Sequence, residues 1–355
     1  MSSYEVHEKP PQAILLEMLF GAWAAKVLAD IVRLDVPDAL AAGPLSAEEL
    51  VRSAGIRAHP DALHRALRAC AALGIVTEDA AGRFGPTALS MHLTRDAPGT
   101  LKRLAEYSGG LLWNVWAGLP DGLATGAPQA RARLGLEFFD YLAANPSALE
   151  EFAETSKAHN IATSRGVLER YDFSGIRTLV DVGGGAGHFL AVVLERYPDM
   201  RGIVFDRPEV VAASEAGAPV GGDVAGRLSY VAGDMLAAVP KADAYVLKLV
   251  LHNWDDASCA TILRNVCAQL EPGGRVIAVD SVLPPLGDAS GLPSKLLDVT
   301  MMLLLPGRER TRLEWEALYR EAGLAITALV PVPDAFDMFV IEGRRATPRG
   351  DSPSP

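Results

Sequence analysis

Apolar positions change their period along this chain. From Pro11 to about Asp96 they recur at three- and four-residue intervals, the mark of helices that bury one face. The stretch "AILLEMLFGAWAAKVLADIV" is apolar around most of its circumference, which predicts a helix needing more cover than its own domain supplies. In "GPLSAEELVRSAGI", Ser46 as N-cap with Glu49 three residues later forms a capping-box pattern. From Pro60 a second helix presents Leu63, Leu67, Cys70 and Leu73 on one face, and "VTEDAAGRFGPTAL" then reads as a short hairpin around Ala81 and Gly82. Residues 101–170 continue as helices, rich in aromatics in "LLWNVWAGL" and "GLEFFDYLAANP". From Ile176 the grammar becomes strand, glycine-rich turn, helix, strand, which predicts a parallel sheet covered by helices on both faces. The expected organisation is a helical, winged-helix-like domain over 11–100, a helical linker and pocket region over 101–170, an α/β domain over 171–345, and a tail of disordered composition over 346–355.

Composition narrows the function classes. With 355 residues and 49% hydrophobic content, the chain can bury the core of two domains. Its three cysteines, Cys70, Cys259 and Cys267, show neither a disulfide framework nor zinc-ligand spacing, which fits the reducing cytoplasm. A net charge of -11 argues against nucleic-acid and anionic-membrane partners. The order helix, helix, β-wing would suit a ligand-sensing DNA-binding regulator, but acidic residues outnumber basic ones across this region, so a dimerisation module is the better reading. The first apolar stretch carries Glu17 and Lys26 and lacks a basic flank, so it reads as neither signal peptide nor membrane span.

The candidate chemistry gathers in the α/β segment. "LVDVGGGAGHF" is an apolar strand that delivers Asp181, then Gly183, Gly184, Gly185 and Gly187, then a helix. Glycines at such a corner let backbone amides approach a ligand closely. The dinucleotide fingerprint is not met, because its last position falls on His188, which weighs against a nicotinamide oxidoreductase. About 20 residues on, "IVFD" ends on Asp206, where a carboxylate can accept both hydroxyls of a ribose. In "LSYVAGDML", Gly233, Asp234 and Met235 stand where an adenine edge can be hydrogen-bonded and its face covered by a thioether. A nucleoside without phosphates fits both observations.

The motifs "LVDVGGGAG", "IVFDRPEVV", "AGDML", "LKLVLHNWDD", "LEPGGRVIAVDSVLP" and "PGRERTRLEWEALYREAGL", in this order, resemble the S-adenosylmethionine-dependent small-molecule O-methyltransferases of the plant caffeic-acid and bacterial polyketide-tailoring type. The resemblance implies a Rossmann-like doubly wound α/β domain behind a mostly helical, winged-helix-like dimerisation domain, and a homodimer active in secondary metabolism. It implies that Gly183, Gly184, Asp206, Arg207, Gly233, Asp234, Met235 and Lys248 hold S-adenosylmethionine, leaving S-adenosylhomocysteine as product and needing no metal. His252 becomes the catalytic base, with Asp280 and Glu309 as the acidic residues beside it. Asp280 is one methylene shorter than the glutamate common in plant members, so which carboxylate orients the ring stays open. Asn253 replaces a common aspartate and is expected at the substrate, with Met301, Met302 and Leu305 as an apolar acceptor wall that Trp113, Trp116, Phe138 and Asn160 complete.

The chemistry agrees with a base at position 252. A phenol has a pKa of about 10 and is weakly nucleophilic near neutrality, and an imidazole can take its proton as the oxygen attacks. The neighbouring Asp255 and Asp256 suit the cap and first turn of the next helix rather than a metal site. An aromatic small molecule is the expected acceptor. N-methylation, carboxyl methylation, and hydroxylation or decarboxylation on the same fold stay open at this stage.

Overall fold

The computed structural model describes residues 9–216, 222–333 and 337–346, without the side chains of 156–162, 215–216 and 222, so the expected tail lies outside it except for residue 346. The chain divides into one unit of Met1–Ala117 with Leu142–Ala158 and a second of Gly118–Tyr141 with His159–Pro355. The 101–170 segment is thereby shared between the two.

In the first unit the capping box forms as its spacing predicts, with Glu49 N–H donating to Ser46 Oγ at 3.2 Å and Ser46 N–H donating to Glu49 Oε2 at 2.7 Å. The Pro60–Ala72 helix buries Leu63, Leu67 and Cys70. Leu73, expected on the same face, is instead the residue that ends the helix and is 46% exposed. The hairpin pairs β1 (Val76–Glu78) with β2 (Phe84–Pro86) antiparallel, and the Asp79 carboxylate accepts the Ala81 and Arg83 amides to close the turn. Along the Pro11–Arg33 helix, Leu15, Met18, Leu19 and Trp23 are each at least 60% exposed. No described helix is long and apolar enough to cross a membrane.

The second unit is built on a sheet of β3 (Thr178–Val182), β4 (Arg201–Asp206), β5 (Leu228–Ala232), β6 (Ala242–Lys248), β7 (Leu270–Leu283), β8 (Arg310–Thr311), β9 (Leu324–Pro331) and β10 (Met338–Arg345). Their order is β5-β4-β3-β6-β7-β10-β9, with β8 paired to β7. Strands β3 to β7 run parallel, as the βαβ grammar predicts, but β10 is antiparallel to both β7 and β9, so the sheet is mixed. The reason is local: β9 and β10 are joined by a link too short for the crossover that a parallel pair requires.

Side chains along the central strands alternate between two cores. On β6, Tyr245 and Leu247 join the core under the Asp256–Gln269 and Arg312–Glu321 helices, while Ala244 and Val246 join the core under the His188–Arg196 helix. The chain order reverses between β3 and β6, which opens a crevice at their carboxyl ends, where such sheets bind ligands.

Candidate active site

The apolar run of β6 stops at Lys248 for a backbone reason. Leu249 takes a left-handed φ of 55°, strained for a residue with a Cβ, and the chain then turns into a 3₁₀ segment over Leu251–Asn253. Asn253 Nδ2 donates to the Leu249 carbonyl at 3.0 Å, which braces the bend. His252 leaves this turn buried, at 7% exposure.

Its ring meets two carboxylates on one side. Nδ1 lies 2.8 Å from Glu309 Oε1, a hydrogen bond, and 3.5 Å from Asp280 Oδ1, an ionic contact only. Asp280 instead accepts the His252 backbone N–H through Oδ2 at 3.3 Å. The glutamate therefore holds the ring and the shorter aspartate holds the backbone. With Nδ1 donating to Glu309, Nε2 carries the lone pair of the neutral ring. Glu309 is itself fixed by its amide, which donates to Asp298 Oδ1 at 2.8 Å.

Burial alone would lower the imidazole's pKa, but the charges of Asp280 and Glu309 outweigh it and raise His252 to about 9, with Arg310 opposing them. Burial also lifts the Asp280 carboxyl above its ordinary range, against the pull of His252. The potential ligand atoms of His252, Asp280 and Glu309 lie within 4.8 Å of one another, but a cation at Nδ1 would have to displace the proton shared with Glu309.

Across the crevice the glycine loop is shaped by what lies beneath it. Gly183, Gly185 and Gly187 all have positive φ, of 73°, 56° and 81°. A Cβ on Gly183 would stand 2.8 Å from Val250 Cγ2, and one on Gly184 would stand 2.8 Å from Asp181 Oδ2, whereas one on Gly185 would meet open space. Asp206 Oδ2 accepts the Gly185 amide at 2.9 Å and Oδ1 accepts the Arg207 amide at 2.7 Å, which ties the end of β4 to the loop. Gly233 N–H donates to the Asp206 carbonyl at 2.9 Å, and Phe205 fills the place of its missing Cβ. Asp234 is exposed and caps its own turn through Leu236 N–H at 2.9 Å, while Met235 packs beside Gly183. Burial lowers Lys248 to about 8 against the charges of Asp181 and Asp280, and raises Asp181 to about 7 against that of Lys248.

Two family models match the chain: an O-methyltransferase domain over residues 116–325 and an O-methyltransferase dimerisation domain over residues 16–96. The chain belongs to the O-methyltransferase family. It is 33% identical over 336 residues to the phenazine O-methyltransferase of Lysobacter antibioticus, covering 94% of this chain and 96% of that protein. It superposes on human N-acetylserotonin methyltransferase solved with S-adenosylmethionine, at a TM-score of 0.84 and 26% identity, covering 98% of this chain and 100% of the other. An O-methyltransferase of neocarzinostatin biosynthesis, solved with S-adenosylmethionine and 2-hydroxy-5-methyl naphthoic acid, matches at a TM-score of 0.75 and 27% identity, covering 91% of this chain and 96% of the other.

The enzyme is thus an S-adenosylmethionine-dependent methyltransferase, and its crevice suits that cofactor. An open, positive-φ glycine loop admits close backbone approach. Asp206 keeps lone pairs for hydroxyls, and Asp234 offers an exposed carboxylate.

The other expected residues distribute unevenly. Arg207 pairs with Glu209 at 3.1 Å, and its guanidinium lies 5.9 Å over the half-exposed Phe139 ring. Phe138 is in the core, 2% exposed, so Phe139 is the more open aromatic of that pair. Met301 and Leu305 are buried and Met302 half-buried at the end of the Leu292–Leu304 helix, where Gly122 leaves room for Leu303 and Met302. Asn253 turns its amide to Leu249. Trp113 and Trp116 stand in the first unit, and the Asn160 side chain lies outside the described residues. Asp255 caps the Asp256–Gln269 helix as expected, accepting Ser258 N–H at 2.7 Å, but Asp256 is gripped by Arg308 and Arg310. Sequence reasoning gave no role to Asp181, although a lone acid inside "TLVDV" was a visible signal, nor to Arg310, which directly follows Glu309.

Proposed function

We propose that this enzyme methylates a hydroxyl of an aromatic small molecule, a phenol above all, in bacterial-type secondary metabolism, with His252 as general base. The observation that carries this reading is the 2.8 Å bond from Nδ1 to Glu309, which fixes the ring and leaves the lone pair of the neutral imidazole on Nε2. S-adenosylmethionine, when bound, supplies the methyl group on a positively charged sulfur. The protein's residues supply the rest.

An imidazole at about 6.5 would take the proton of a phenol uphill by about 5 kcal/mol, whereas one at about 9 does so for about 1.4 kcal/mol. Glu309 and Asp280 therefore make the ring a base matched to its acceptor. After proton transfer the same carboxylates stabilise the imidazolium. Met301, Met302 and Leu305 offer an apolar wall to the acceptor's ring and exclude water from the reacting oxygen. Gly183, Gly184, Asp206, Arg207, Gly233, Asp234, Met235 and Lys248 hold the cofactor in this proposal.

The Pro11–Arg33 helix supports a homodimer, since its exposed apolar residues need a partner and lie largely within the dimerisation-domain match. Reduced, scattered cysteines support a cytoplasmic setting. Mass spectrometry of reactions with S-adenosylmethionine and a panel of phenols, aromatic polyketides and amines tests the function. One added methyl on a hydroxyl is expected, and transfer to amines alone would overturn it.

A further inference from the structure

Arg310 is fully buried, and a guanidinium cannot shed its charge, so its burial is strongly unfavourable unless donors and charge are both satisfied. Its polar partners centre on the turn that carries His252. Nη1 donates to the Leu251 carbonyl at 3.0 Å and Nη2 to the Trp254 carbonyl at 2.9 Å, the residues on either side of His252–Asn253. Nε and Nη2 reach Asp256 Oδ1 at 3.0 and 2.8 Å, at the start of the following helix. The guanidinium lies 5.5 Å over the Trp315 ring, which is itself fixed by its Nε1–H to the Ser281 carbonyl at 3.1 Å. From the loop just before Glu309, Gly307 packs so closely that a Cβ there would collide with the His252 carbonyl. One short segment thus supplies both the carboxylate that holds the ring and the cation that holds the ring's backbone.

We propose that Arg310 is a positioning residue for His252: by fixing the carbonyls of Leu251 and Trp254 it sets the imidazole against Glu309. The inference rests on the reading of His252 as base. The charged groups facing the ring are Asp280 from β7, Glu309 from the loop before β8 and Arg310 from β8, so Arg310 also sets the ring's charge balance.

Arg310→Lys keeps the charge but cannot reach two carbonyls and a carboxylate at once. With the phenol of the panel that is methylated fastest, its kcat should fall about 10- to 100-fold, since small misplacements of reacting groups have effects of that order. Acceptor KM and cofactor Kd should stay within about twofold. Placed in a His252→Ala background it should add less than about twofold, because a residue acting through another has nothing left to position. In the ligand-free protein the His252 ring, followed by NMR, should titrate at higher pH in Arg310→Met than in Arg310→Lys, which keeps the opposing charge while loosening the ring from Glu309. If neither Arg310 variant folds, Asp256→Asn, at a carboxylate 51% exposed, should lower kcat by roughly threefold to tenfold with the same dependence on His252. An Arg310→Lys enzyme with full kcat, or a full additional loss on top of His252→Ala, would overturn the positioning role alone, as would an unaffected Asp256→Asn. A His252→Ala enzyme with near wild-type kcat would overturn the base reading, and this proposal with it.

Discussion

Glu309→Gln separates the two functions that the His252 pair combines. The side chain keeps its shape and an oxygen able to accept from Nδ1, but its charge is gone. Raising an imidazole from 6.5 to about 9 amounts to about 3 kcal/mol in favour of the imidazolium. That preference comes from two carboxylates, one bonded to the ring at 2.8 Å and one at 3.5 Å, working against burial. A hydrogen bond to a charged partner is worth roughly 1.5 to 3 kcal/mol. Losing the charge of the closer partner should therefore lower the ring's pKa by about 1 to 2.

The sign follows from which form reacts. Only neutral His252 accepts a proton, so kcat/KM for a phenol that remains un-ionised should climb about tenfold per pH unit until the free enzyme's ring is deprotonated. In the wild type that rise should end near pH 9, and in Glu309→Gln roughly 1 to 2 units lower. On the plateau the variant should be slower, because its weaker base meets the same phenol. Asp280→Asn should move the rise in the same direction by a comparable amount, since its charge acts on the ring as strongly as that of Glu309. Initial rates with cofactor and acceptor both well below saturation, read by mass spectrometry from pH 6 to 10, make the measurement. A rise that stays in place in Glu309→Gln would refute the assignment of the pKa to this pair.

Asp206→Ala should weaken S-adenosylmethionine binding by about 1.5 to 3 kcal/mol in calorimetry, because a charged acceptor for hydroxyls is lost together with the tie to Gly185, while acceptor preference stays the same. The double change Leu19→Glu and Trp23→Glu, at positions 64% and 68% exposed, should turn a dimer into a monomer in light scattering. A dimer that survives both charges would place the interface elsewhere.

Local rules carried the fold far. The capping box, the hairpin at Ala81–Gly82 and the helix cap at Asp255 depend on neighbours a few residues apart, and such signals are written wholly in the sequence. The direction of β10 follows from the short link to β9, but its place between β7 and β9 is not written locally, because it depends on which strand edge remains open once β7 is placed. Leu73 misled for a related reason: periodicity cannot see that a helix ends one residue early, since what ends it is the return of the chain through Gly74 at a φ of 74°. In the site, residue types pointed to His252, but the division of labour between Asp280 and Glu309 is set by strand register and one methylene of length, and no spacing reports it. Arg310 was hidden by its company, since an arginine in "GRERTR" looks like part of a solvated charge run until the fold buries it.

A base held at high pKa creates a difficulty near neutrality, where about one ring in a hundred would be neutral in the empty site. The cofactor's sulfur offers the remedy, because a positive charge entering the same crevice disfavours a second one on the imidazole. Coupling of this kind is reciprocal: if the sulfonium lowers the ring's affinity for a proton, the proton lowers the site's affinity for the sulfonium by the same factor. The product S-adenosylhomocysteine has nearly the same groups without that charge, so comparing the two ligands isolates the response to the sulfonium, and the His252→Ala enzyme separates the ring's part from those of Lys248 and Asp181. The ratio of S-adenosylmethionine to S-adenosylhomocysteine affinity should therefore rise between pH 7 and pH 9.5, by about threefold or more, and calorimetry on the protein without acceptor reads it directly. In His252→Ala the ratio should be nearly constant over the same range. A wild-type ratio that changes by less than about twofold would show that the sulfonium does not sense the ring, and some other event, such as acceptor entry, would then have to release the proton from His252.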